Sequence, residues 1–221
     1  MPILHFFEPL SLGIEILFTV IAVVFCFLIY FRTKEVYQLT KHQGINYFRG
    51  AFLFFGLSYL LRFMLSLVFL SRIAFDFIMP REMFIPLFIV PLGYFSTIGI
   101  FYLVFSSIWK KFKGKNLLIF GYCAAILMSV ISFLTRSPLI LLIFQSVLLI
   151  SGAMVSGTIH KSEKKISQTR VLYLLVSLLW LINLWIVDRP RPISFKLDII
   201  SELVSLIVFV TIYYKISKWV K

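Results

Sequence analysis

Apolar residues in this chain come in long unbroken blocks separated by short polar connections, most of them basic. A helix needs roughly 20 apolar residues to cross a bilayer. By that yardstick the pattern predicts seven spans: Leu10–Phe31, Tyr47–Leu70, Phe84–Trp109, Asn116–Leu134, Pro138–Gly157, Val171–Val187 and Ile199–Tyr214. The last two are short, and Thr135, Arg136 and Ser137 join the fourth and fifth as a tight helical hairpin. The expected fold is all-α: a polytopic integral membrane protein, one seven-helix transmembrane domain over residues 1–221.

Small residues mark where these helices should approach closely. The third block carries Gly93, Ser96, Thr97 and Gly99, and the fifth carries Gly152 and Ser156 at four-residue spacing, a pattern that lets backbones meet in lipid. Pro86 and Pro91 are expected to kink or interrupt the third helix near its start. The connection Arg32–Asn46, RTKEVYQLTKHQGIN, mixes charge with Val36, Tyr37 and Leu39. It reads as an amphipathic connector lying on the membrane surface.

Composition sharpens this picture. The chain is 61% hydrophobic and 14% charged, where a soluble domain has roughly 25% charged residues. The spans use up the 221 residues, leaving no room for a separate soluble catalytic domain. No Lys or Arg precedes the first block and no small-residue cleavage site follows it, so it is expected to be a retained span rather than a signal peptide.

The net charge of +13 raises nucleic acid as a partner, but the placement of the charge answers otherwise. Most Lys and Arg lie in Arg32–Arg49, Lys110–Lys115, Lys161–Arg170 and Lys215–Lys221, all on one side of the predicted bundle. Arg72, Arg81, Arg136, Arg189, Arg191 and Lys196 fall on the other. The bias predicts an external N-terminus and a cytoplasmic C-terminus in the plasma membrane. Tyr30, Tyr47, Trp109, Tyr213, Tyr214 and Trp219 gather at the inner boundary, as interfacial aromatics do. No basic helix or aromatic-basic platform accompanies the charge, so it is assigned to anionic lipid, with no nucleic-acid partner.

The chemistry worth following begins at Arg62, deep in the second block. A guanidinium there costs about 2.5–3.5 kcal/mol on insertion scales and calls for a partner. Glu15, at similar depth in the antiparallel first span, is the expected one. Glu202, Gln145 and Asn183 fall in the outer halves of the seventh, fifth and sixth spans, and Tyr94 reaches mid-membrane from the third. Tyr59 shares a helical face with Arg62, Trp180 shares one with Asn183, and Ser58, Ser66 and Ser205 flank these positions. The inner halves of the spans are largely Phe, Leu, Ile and Val. Polar side chains from five spans in the outer half describe either an outward-facing cavity or a set of interhelical hydrogen bonds.

Catalytic and metal signatures are lacking, so neither enzyme activity nor a cofactor is expected. Ser156-Gly157 with His160 lacks an oxyanion motif. The Arg-Pro pairs of Asp188–Pro192 resemble those of membrane lipid phosphatases, yet no Ser-Gly-His or later Arg-His partner follows. That connection reads instead as a stiff, extended segment. Cys26 and Cys123 sit in apolar blocks without disulfide or metal spacing.

Seven spans invite comparison with microbial rhodopsins, but Ile199–Tyr214 lacks the retinal-linking lysine that family needs. The three-plus-one-plus-three layout is similar to sugar transporters of the SWEET type, without their Pro-Gln signature. The stretch KEVYQLTKHQGINYFRGAFLFFGLSYLLRF resembles the second-span entry of seven-helix membrane input modules on prokaryotic sensor proteins such as histidine kinases. That resemblance implies a sensor or receptor-like module. Because the chain stops at Lys221 without an output domain, signalling is expected to run through a separate cytoplasmic protein. The expected ligand is small and polar or charged, bound in an outer-leaflet pocket of Glu15, Tyr59, Arg62, Gln145, Asn183 and Glu202. The alternatives are a transporter using the same pocket and a non-catalytic subunit of a membrane complex.

Overall fold

The computed structural model describes residues 9–75, 81–109, 115–135, 138–159, 168–187 and 195–220, and every regular element among them is an α-helix. The seven helices are α1 (Pro9–Thr40), α2 (Gln43–Phe75), α3 (Arg81–Ile108), α4 (Lys115–Leu134), α5 (Pro138–Ile159), α6 (Gln168–Val187) and α7 (Phe195–Val220). Asp188–Pro192, His5 and His160 lie outside the described residues, as does the side chain of Ser156.

The helices are apolar on both faces, and that fixes the solvent they need. On α1, Phe18, Ala22, Cys26 and Ile29 point into the bundle, while Leu17, Val24, Leu28 and Phe31 point out of it. On α7, Phe209, Ile212 and Ile216 are buried, and Leu203, Ile207, Val210 and Tyr214 are exposed. An outward stripe of leucine, isoleucine and valine at helical spacing is what a bundle presents to hydrocarbon. α1, α2, α3 and α7 are long and apolar enough to cross a membrane, over Leu12–Thr40, Gln43–Val68, Val90–Ile108 and Ile199–Lys218. The other three blocks form shorter described apolar stretches, Leu118–Leu134, Leu139–Val155 and Val171–Asn183.

Packing closes a ring. α1 lies against α2 and α7, α2 against α3, α3 against α5, α5 against α6, and α6 against α7. α4 stands outside, touching α3 and α5. We call the end with the start of α1 and the finish of α2 the upper end.

Two local expectations are corrected. α1 does not stop at Arg32 to release a flat connector; it runs on as helix to Thr40, and α2 restarts at Gln43. Thr33 lets the helix pass because its hydroxyl bonds the Ile29 carbonyl within the same helix (2.7 Å), and Arg32 pairs with Glu35 one turn on. The turn is made at Lys41, whose φ of 53° is left-handed, and its N–H caps the Tyr37 carbonyl at 2.8 Å. The turn is pinned from α3, whose end brings Trp109 edge-on to His42 at 4.5 Å. At about 1.5 Å per residue, α1 and α2 each outlast the roughly 30 Å hydrocarbon layer. The second correction is partial: α3 stays helical through Pro86 and Pro91, so the prolines do not interrupt it.

The core is organised by α2. Phe48, Phe52, Phe55 and Tyr59 recur on one face and are all buried. Phe55 stacks on Trp180 of α6, with ring centroids 4.2 Å apart and planes at 16°. Opposite, Gly99 of α3 brings its backbone so close that an added Cβ collides with the Phe55 ring. The stack on Trp180 leaves that ring nowhere to retreat. Gly99→Ala should therefore destabilise the bundle by about 1–3 kcal/mol, seen as an earlier thermal transition of the purified protein. Gly13→Ala, where an added Cβ meets nothing within 4 Å, should leave the transition unchanged or slightly raised.

Candidate functional site

Tyr59 is the hub of the upper half. Its ring is packed edge-on by Phe18 of α1 at 6.1 Å, Trp180 of α6 at 6.0 Å and Phe209 of α7 at 6.0 Å. These contacts bring four helices into register at one level. Counting one helical turn towards the upper end from each contact then reaches Glu15, Arg62, Asn183 and Ser205. Glu202 lies a further turn up α7 and is buried. The structure therefore gathers five of the six expected site residues, with Ser205, around one axis.

Arg62 and Glu15 form the expected ion pair, Nε donating to Oε1 at 3.1 Å across α1 and α2. The contact is single, where a guanidinium offers a carboxylate a two-pronged fork. The two side chains retain 14% and 28% of their exposure, so the pair is accessible from outside the protein. Level with it and one turn below, the side chains are buried. The Tyr59 hydroxyl stands against the Asn183 carboxamide, whose Nδ2 donates to the Leu179 carbonyl at 2.7 Å. Tyr59 Oη, Trp180 Nε1, Asn183 Oδ1 and Ser205 Oγ are buried and close no well-formed hydrogen bond with protein. A buried group left without a partner costs about 1–3 kcal/mol, so Trp180 Nε1 and Ser205 Oγ, beside the loosely met Tyr59 and Asn183, hold polar capacity in reserve.

Gln145 belongs elsewhere. Its Nε2 donates to Ser96 Oγ at 2.7 Å and Thr97 Oγ1 at 2.9 Å. Both hydroxyls in turn donate to the Gly93 carbonyl, at 3.0 and 2.7 Å. This clasp binds α5 to α3, and none of the described hydrogen bonds connects it to the Arg62 cluster. Equal depth had suggested one shared pocket; the ring places α5 on the side of α3 instead. The residues flagged for backbone approach, Gly93, Ser96 and Thr97, turn out to be the other half of the clasp.

Other polar contacts had no clear signal in the sequence. Tyr102 and Tyr122 share a 2.6 Å hydrogen bond that ties α4 to α3. The Tyr173 hydroxyl sits over Gly152 of α5, filling the space where a Cβ would stand. Two mid-span tyrosines are a weak pointer to the first contact, and the four-residue Gly152–Ser156 spacing to the second. Among the described residues no group of three His, Cys, Asp or Glu is placed to hold a metal.

If the clasp and the ion pair are separate, their energies should add. Gln145→Leu should cost about 0.6–1.7 kcal/mol, and combining it with Glu15→Gln should give the sum of the single effects within about 0.5 kcal/mol. Reversible unfolding in mixed micelles measures both.

No family model matches this chain, and no solved structure matches it. Over 204 residues, 89% of this chain and 88% of the relative, it is 31% identical to an uncharacterized protein of Archaeoglobus fulgidus. The chain belongs to the family of that archaeal protein.

Proposed function

We propose that this protein is a seven-span sensor or receptor-like module of the plasma membrane, with its N-terminus outside and its C-terminus in the cytoplasm. The upper end of the bundle then faces outward, and the site around Tyr59, Arg62, Glu15, Asn183 and Glu202 binds a small polar or charged ligand. One observation carries this reading: four buried polar atoms without well-formed protein partners lie level with, or one turn below, an ion pair that is exposed at the protein's surface. Single groups without a well-formed partner, such as Tyr173 Oη and Ser217 Oγ, occur elsewhere in the bundle; what supports a site here is their grouping beside an ion pair, in contrast to the paired Gln145 clasp.

Output runs down α1 and α2. A ligand that engages Arg62 changes the bond between those two helices and so favours one arrangement of them over another. Both helices continue unbroken to the turn at Lys41–His42, where Trp109 grips it. That turn is the surface offered to a separate cytoplasmic partner, in the manner of the sensor input modules that the stretch from Lys34 to Phe63 resembles. Transport ranks second, because below Tyr59 the axis is filled by Phe52, Phe55, Phe209 and Ile212, all buried. Those side chains offer no polar path for a substrate.

The test is water access. In a Cys123→Ser background, cysteines placed at Ser205 and Glu202 should react with a membrane-impermeant thiol reagent added outside intact cells. One placed at Val208, a turn deeper, should not. Silence at both upper positions would remove the ligand-site reading.

A further inference from the structure

Resting on that reading, we propose that the ligand is recognised through a carboxylate, which takes the place of Glu15 on Arg62. The inventory of groups gives the sign of the partner. Arg62 uses Nε for Glu15, leaving the two η nitrogens as a planar fork suited to a carboxylate. The phenol of Tyr59, the indole N–H of Trp180 and the hydroxyl of Ser205 add further donors. Against these stand Asn183 Oδ1 and, one turn higher on α7, the buried carboxylate of Glu202. A site with such an excess of donors matches an acceptor-rich anion, and one hydroxyl or amino group on the ligand would satisfy Asn183.

The protein already holds a carboxylate at that place. Glu15 meets the guanidinium by one contact and stays more exposed than Arg62 itself, so it can swing away without dragging α1 out of its packing. The exchange replaces one carboxylate by another on Arg62, so the guanidinium is never left unpaired where that is expensive, while the displaced Glu15, the more exposed of the two, gives up its partner. It also explains how a small ligand would alter the α1–α2 junction: the ion pair that ties α2 to α1 through Glu15 becomes one between α2 and a free molecule. A water-soluble acid and the head of a fatty acid share this chemistry, and the probes below separate them.

The experiment uses the full chain in nanodiscs, followed by thermal shift and by Trp fluorescence. The probes are acetate, lactate and glycine, with lactamide as the neutral analogue and palmitate as the lipid source. Saturable stabilisation by a short acid and none by lactamide is the expected result. Stabilisation by palmitate alone would keep the carboxylate and assign it to lipid. Trp180→Phe, which keeps the ring on Phe55 but removes the N–H, should weaken acid binding severalfold. Glu15→Gln should tighten it about tenfold, equivalent to about 1.4 kcal/mol, by removing the resident competitor. Arg62→Lys, which keeps charge but loses the fork, serves in case Glu15→Gln misfolds, and should weaken acid binding. Equal binding of lactate and lactamide, or acid binding that ignores Arg62→Lys, overturns the carboxylate assignment while the thiol labelling of Ser205 and Glu202 still stands. Failure of every probe together with failure of that labelling overturns the site itself.

Discussion

A guanidinium in the apolar body of a helix bundle has to be answered, and the answer here organises the upper half of the molecule. Arg62 draws Glu15 across from α1 and fixes how the two longest helices register. Tyr59, one turn below, then becomes the point where α1, α6 and α7 all touch α2. The cost of burying charge in lipid, about 2.5–3.5 kcal/mol for an unanswered arginine, is thereby turned into a constraint on helix order. In lipid no hydrophobic force selects one neighbour over another, so such polar contacts and close glycine approaches decide the arrangement.

The lower half solves the same problem by different means. There the selection comes from shape: Gly99 against Phe55, and Phe55 flat on Trp180. Further round the ring, Gln145 holds α5 to α3 with hydrogen bonds that leave nothing over. The contrast is informative. In the Gln145 clasp the polar groups are paired; around Tyr59 and Asn183 several unpartnered polar atoms fall at adjoining levels.

Helix number and composition were legible in the sequence because apolar runs bounded by basic connections are a strong signal, and all seven blocks fold as helices. The Glu15–Arg62 pair was legible as well, since antiparallel neighbours joined by a short connection place equal depths side by side. Depth alone could not tell which helices adjoin further along the chain. It therefore grouped Gln145 with Arg62, although α5 reaches α3 and α6 rather than α2 among the principal contacts. The Arg32–Asn46 segment was misjudged because mixed charge resembles a surface helix. An Arg32–Glu35 pair and a threonine bonded back to its own helix let the same residues simply prolong α1. The two prolines of α3 do not break its helix, which runs on through both.

The central claim is that water reaches the buried polar layer around Tyr59 rather than the layer being packed dry, and the indole N–H of Trp180 reports on it directly. Its exchange in deuterated buffer can be followed by NMR of the nitrogen-15-labelled indole in nanodiscs, with the signal assigned through Trp180→Phe. The account predicts rapid exchange despite the buried ring, approaching that of a solvent-exposed indole. Protection lasting as long as that of the surrounding helix amides would mean a dry core, and would contradict it.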